Sequence, residues 1–147
     1  MKTTGSTADC FFAQAGEKSA AALAITPDSY EALIMWGTVL CSQGKAKTGD
    51  DAYGCFVQAS EKYSAALAIK PNSYKALCNL GSALWYQSKA KVGDDAEHLF
   101  AQVEQKYGDA FAIEPNSTEV VYNWGTAAFR TRREEDGGPS QCSLCSC

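Results

Sequence analysis

The chain has 147 residues, 46% hydrophobic and 20% charged, enough for one folded domain with its own apolar core. A net charge of −4 argues against the dense basic surface that nucleic acid or an anionic bilayer requires. No apolar run approaches the about 18 residues of a membrane span, and residues 1–6 have neither the apolar core of a secretory signal nor an Arg-rich transit character.

Taken in chain order, residues 1–6 read as a disordered start, followed by a helix over 7–25. Further helices are predicted over 28–47, 50–69, 72–91, 94–113 and 117–132, and residues 133–147 read as a polar, disordered tail. The apolar spacing is helical throughout. Ala32, Leu33, Trp36, Gly37 and Leu40 make one stripe, and Ala76, Leu77, Leu80, Gly81 and Leu84 repeat it. Ala52, Phe56, Ala59, Tyr63, Ala66 and Leu67 form one face of the helix that follows the first stripe. Lysines at 45, 47, 89 and 91 suit helix C-termini, and the Gly-Asp-Asp runs at 49–51 and 93–95 suit helix starts, with Gly as the break and Asp as cap. Asp28, Asn72, Asn116 or the adjacent serines are further cap candidates.

The strongest signal is repetition. Pro27, Pro71 and Pro115 are spaced by 44, and Glu17–Pro27, Glu61–Pro71 and Gln105–Pro115 align. About half of residues 27–70 recur 44 positions later. Each unit is two antiparallel helices with a short turn, so the fold class is all-α: a helix-pair solenoid of six helices. The array opens on a second-type helix and closes on a first-type helix, in the order B, A–B, A–B, A. Both ends should then expose an apolar face, Phe11 or Phe12 at one and part of Val121, Trp124 and Phe129 at the other, and self-association or an obligate partner at an end is expected.

Leu80-Gly81, with Trp36-Gly37 and Trp124-Gly125 as variants, together with Ala59, Tyr63, Ala66 and the closing prolines, resembles the tetratricopeptide repeat family over about residues 7–131. The family unit has about 34 residues, so each unit here is longer by about ten. The resemblance implies a concave groove lined by first-type helices and a role in holding another protein. Residues off the packing stripe then form the partner site: Glu31, Ile34, Thr38, Cys41 and Ser42, then Lys75, Cys78, Ser82, Trp85 and Tyr86, then Glu119, Tyr122, Thr126, Phe129 and Arg130. The carboxylate clamp of the family's chaperone-tail receptors is absent, since Ile34, Cys78 and Tyr122, then Thr38, Ser82 and Thr126, stand at those places. Aromatic area in the groove favours an apolar helix or extended segment as ligand. The competing reading puts Trp85 and Tyr86 in the packing against a neighbouring helix.

Enzymatic signals are thin. His98 is the only histidine, and no phosphate loop or nucleophile motif is present. The expectation is a binding protein without catalytic activity, cofactor or metal. Of seven cysteines, Cys10, Cys41, Cys55 and Cys78 lie in apolar helical patterns as small core residues, while Cys142, Cys145 and Cys147 crowd the tail. An odd count so placed is not a disulfide framework, and a reducing, cytoplasmic location is expected. Three tail thiols are too few for a zinc site. The ending Cys145-Ser146-Cys147 resembles that of doubly geranylgeranylated GTPases, and only such lipidation would bring a membrane into play. The leading functional expectation is a protein-interaction adaptor that binds a peptide or helix and no nucleic acid. The alternative is an import-receptor-like protein at an organelle surface that takes amphipathic presequences.

Overall fold

The computed structural model describes residues 3–135. They form six helices: α1 (Thr3–Ile25), α2 (Tyr30–Ala46), α3 (Gly49–Ile69), α4 (Tyr74–Ser88), α5 (Asp94–Ile113) and α6 (Thr118–Glu135). Among the described residues there is no strand. Each helix packs against its chain neighbours. In addition α2 meets α4 and α4 meets α6, whereas α1, α3 and α5 do not meet one another. Helices that touch their next-but-one neighbour lie on the inside of a curve, so α2, α4 and α6 line the concave side of an all-α solenoid.

The three proline turns are built alike. Ser29, Ser73 and Ser117 each donate a backbone N–H to the carbonyl three residues back, at 3.1, 3.3 and 3.2 Å, closing a four-residue turn with Pro at its second position. The same serines then start the next helix. Ser29 Oγ accepts from Ala32 N, Ser73 Oγ from Ala76 N and Ser117 Oγ from Val120 N. Serine, not the neighbouring Asp or Asn, is therefore the cap. The turn is further tied by a hydroxyl contact between Tyr30 and Ser73 and by Lys70, whose ammonium lies 3.3 Å from Glu31 and 4.2 Å from the Tyr30 ring centroid.

At the other end of the bundle the aspartates do not cap. The N-caps of α3 and α5 are Thr48 and Gly93, neither with a side-chain cap bond, and Asp50, Asp51, Asp94 and Asp95 sit inside the first turns. There they complement the helix dipole. Gly49 and Gly93 both have φ of 64°, the left-handed region that makes glycine the break residue. The helix α4 stops at Ser88, short of the predicted 91, and the chain leaves it in turns closed by Ala90 N to the Gln87 carbonyl and Lys91 N to the Ser88 carbonyl, both at 3.1 Å. The outer helices run past their predicted limits, from Thr3 and to Glu135.

The core is a repeated knob and socket. Tyr63 and Tyr107, each 2% exposed, lie on Gly37 and Gly81. A methyl group added at Gly37 would stand 2.6 Å from Tyr63 Cε1, and at Gly81 3.1 Å from Tyr107 Cε1. At Gly125 the same methyl would meet nothing within 4 Å, since among the described residues no second-type helix packs on that face of α6. Cys41, Cys55 and Cys78 are buried as expected, but Cys10 is exposed, since α1 packs only against α2. No helix among the described residues is long and apolar enough to cross a membrane.

Candidate functional site

The concave side holds a hollow of about 350 Å³. α2 contributes Thr38, Cys41, Ser42 and Lys45; α4 contributes Asn79, Ser82, Trp85 and Tyr86; α6 contributes Glu119, Tyr122, Asn123, Thr126 and Ala127. Helical spacing explains the set: positions 38, 82 and 126 are equivalent in successive units and all carry a hydroxyl. Tyr63 and Tyr107 reach between the inner helices so that their phenols form the floor. The Tyr63 hydroxyl donates to Thr38 Oγ1 at 3.3 Å, and the Tyr107 and Ser82 hydroxyls are paired at 2.8 Å.

Of the residues expected in the groove, Thr38, Cys41, Ser42, Ser82, Trp85, Tyr86, Glu119, Tyr122 and Thr126 come together in this hollow. Others lie elsewhere. Ile34 is half-buried against the core, and Cys78 is buried beneath Asn123, whose side-chain amide points at its sulfur from 3.5 Å. Lys75 belongs to a separate hollow beside the Pro71 turn, with Tyr30, Lys70 and Tyr74. Glu31 is exposed and paired with Lys70, and the backbone bond at its own N–H together with that ammonium holds its carboxyl below the usual value. Phe129 is exposed on α6. The Arg130 side chain, Cys142, Cys145 and Cys147 lie outside the described residues.

Trp85 and Tyr86 serve both packing and lining. Trp85 is 8% exposed, and Tyr86 stacks on Phe56 with centroids 4.7 Å apart and planes 7° apart. Both residues also line the hollow. Tyr122, 74% exposed, is the freely presented ring.

Sequence reasoning missed Lys45, Asn79, Asn123 and the two tyrosine floors. The recurrence of a hydroxyl at 38, 82 and 126 opposite a phenol at 63 and 107 was the available signal. The resulting surface is more polar than expected. Burial pushes the Cys41 and Cys78 thiols and the Tyr63 and Tyr107 phenols above their ordinary values. They remain neutral at physiological pH and act as hydrogen-bonding groups, not as nucleophiles. The charged side chains on the lining are Lys45, in the last turn of α2, and Glu119, in the first turn of α6. His98 is exposed on α5 and does not line the hollow. The lining thus combines aromatic surface with hydrogen-bonding groups and one charge of each sign.

A family model described as the plant specific mitochondrial import receptor subunit TOM20 matches residues 9–128, most of the chain and every helix of the repeat. The chain belongs to that family. No curated protein matches it. Membership overturns the cytoplasmic expectation, because the family is one of mitochondrial import receptor subunits. Composition could not reveal this: a receptor domain that faces water at an organelle surface has the same polar exterior and apolar core as a cytosolic domain. Membership also favours the import-receptor alternative over a general adaptor.

Proposed function

We propose that this chain is the precursor-binding module of a mitochondrial import receptor, and that its concave hollow takes the amphipathic targeting segment of a precursor. The observation that carries the reading is the coincidence of family membership with a groove of mixed character. Trp85, Tyr86 and Tyr122 offer aromatic surface to the apolar side of such a segment. Thr38, Ser82, Asn79, Asn123 and Thr126 offer hydrogen bonds to its polar side. Lys45 and Glu119 balance on the lining, and the net charge of −4 of the whole chain favours a basic segment. The helix pairs are read as tetratricopeptide units lengthened in the turn region, with residues 7–132 as the working domain.

The test is a titration of the full chain with a dye-labelled basic amphipathic peptide, followed by fluorescence anisotropy, against a scrambled peptide of identical composition. Saturable binding of the first and several-fold weaker binding of the second is the expected result. Equal binding of both would reduce the interaction to net charge and overturn the reading.

A further inference from the structure

A second hollow, of about 840 Å³, opens where α2 turns into α3 and α4 turns into α5. Its lining is cationic, whereas the groove's carries one charge of each sign. Lys45 and Lys47 come from the end of α2, and Lys89 and Lys91 from the end of α4, all exposed. One lysine per helix end would satisfy the dipole. Here two stand at each end, at positions repeated with the 44-residue period. Three of the four ammonium groups lie over rings, Lys89 among them at 4.5 Å from the Trp85 centroid. Lys45 lies 5.4 Å from the Tyr86 centroid and Lys91 4.6 Å from that of Tyr53. Asp50 is the one acidic residue on the lining, against four lysines.

We propose that this hollow binds an acidic peptide segment of a partner protein. Charge complementarity selects an anionic ligand, and the rings of Tyr53, Phe56 and Tyr86 offer apolar contact alongside it. The placement of the other carboxylates selects a peptide over a membrane. Asp51, Asp94 and Asp95 occupy the adjoining first turns but do not line the hollow. A broad anionic bilayer laid on this end would meet them as well as the lysines, while a narrow segment that enters the hollow meets mainly the lysines. Lys45 and Tyr86 border both hollows, so a basic segment in the groove and an acidic segment here would lie side by side. The proposal stands whether or not the groove takes targeting segments.

The experiment uses the full chain and a dye-labelled oligoglutamate peptide, read by anisotropy at low salt. Saturable binding is expected. Lys47→Glu and Lys91→Glu should each weaken it by about fivefold, while Lys18→Glu, the same charge change on the exposed face of α1, should leave it within about twofold. Binding of the basic amphipathic peptide should be unaffected by Lys47→Glu, which separates this site from the groove. Absence of oligoglutamate binding overturns the proposal, and so does equal weakening by Lys18→Glu. Binding to vesicles that contain an anionic phospholipid, without binding to the peptide, overturns it in favour of a membrane surface.

Discussion

Three glycines at equivalent positions of α2, α4 and α6 meet three different environments, so one substitution should give three different results. Glycine to alanine inside a helix gains about 1 kcal/mol of propensity. At Gly37 the new methyl would lie 2.6 Å from a Tyr63 ring carbon, roughly 1 Å inside ordinary contact. That ring cannot retreat freely, because it is 2% exposed and its hydroxyl is bonded to Thr38. Overpacking of this kind costs about 1–3 kcal/mol, so Gly37→Ala should destabilise by up to about 2 kcal/mol. At Gly81 the nearest ring carbon is 3.1 Å away, and the two effects should nearly cancel. At Gly125 nothing lies within 4 Å, and only the propensity gain remains, about 0.5–1 kcal/mol of stabilisation. The assay is urea denaturation followed by circular dichroism at low protein concentration. Between Gly37→Ala and Gly125→Ala the expected separation of about 2 kcal/mol corresponds to roughly 4–8 °C in Tm. Equal effects at all three positions, or destabilisation by Gly125→Ala alone, would refute the knob-and-socket account of the repeat.

Tyr86→Ala should lower stability, because the ring stacks on Phe56, whereas Tyr122→Ala should leave melting nearly unchanged and weaken binding of a basic amphipathic peptide several-fold; unchanged affinity in Tyr122→Ala removes that ring from the site. Burial raises the Tyr63 and Tyr107 phenols above their unfolded value of about 10. Below that pH both states are neutral and this contribution is fully present; as pH rises further the unfolded state ionises first and stability falls, by up to about 1.4 kcal/mol per pH unit for each phenol. Urea midpoints should therefore drop above about pH 10, and less steeply in Tyr63→Phe. Exposed apolar side chains at the two ends of the array, Phe11 on α1 and Val121 and Phe129 on α6, predict concentration-dependent self-association in light scattering. A strict monomer over a wide concentration range would refute it.

The architecture was legible because its devices repeat. A proline every 44 residues, each followed by a serine two positions later, fixed the turns and therefore the number of helices. The choice of Ser29 and Ser73 over Asp28 and Asn72 as caps was not legible, since either residue type caps well and the turn geometry decides which one stands at the helix start. The groove was half legible. Helical spacing placed Thr38, Ser82 and Thr126 on one face, but a single helical wheel does not say how deeply neighbouring helices cover it. The contact of α4 with α6 buries Cys78 beneath Asn123, and the turn pulls Lys75 into another hollow. Tyr63 was read as core because its ring is core; its hydroxyl and that of Tyr107 reach the groove because Gly37 and Gly81 let the helices approach closely. The pairing of Lys45 with Lys89, and of Lys47 with Lys91, was visible as a repeat, but the dipole accounted for it locally. Their convergence on one hollow depends on α2 and α4 lying side by side.

The central claim is that the concave hollow holds a basic amphipathic segment. The most direct measurement is a side-chain amide NMR spectrum of the full chain, titrated with the unlabelled amphipathic peptide. Asn79 and Asn123 line the hollow, whereas Gln102 lies in a separate hollow with Ser60, Ser64 and Lys106 of α3 and α5. The account predicts that the Asn79 and Asn123 signals shift saturably while Gln102 stays in place. Shifts at Gln102 with Asn79 and Asn123 unmoved would put the ligand on the outer helices and contradict it.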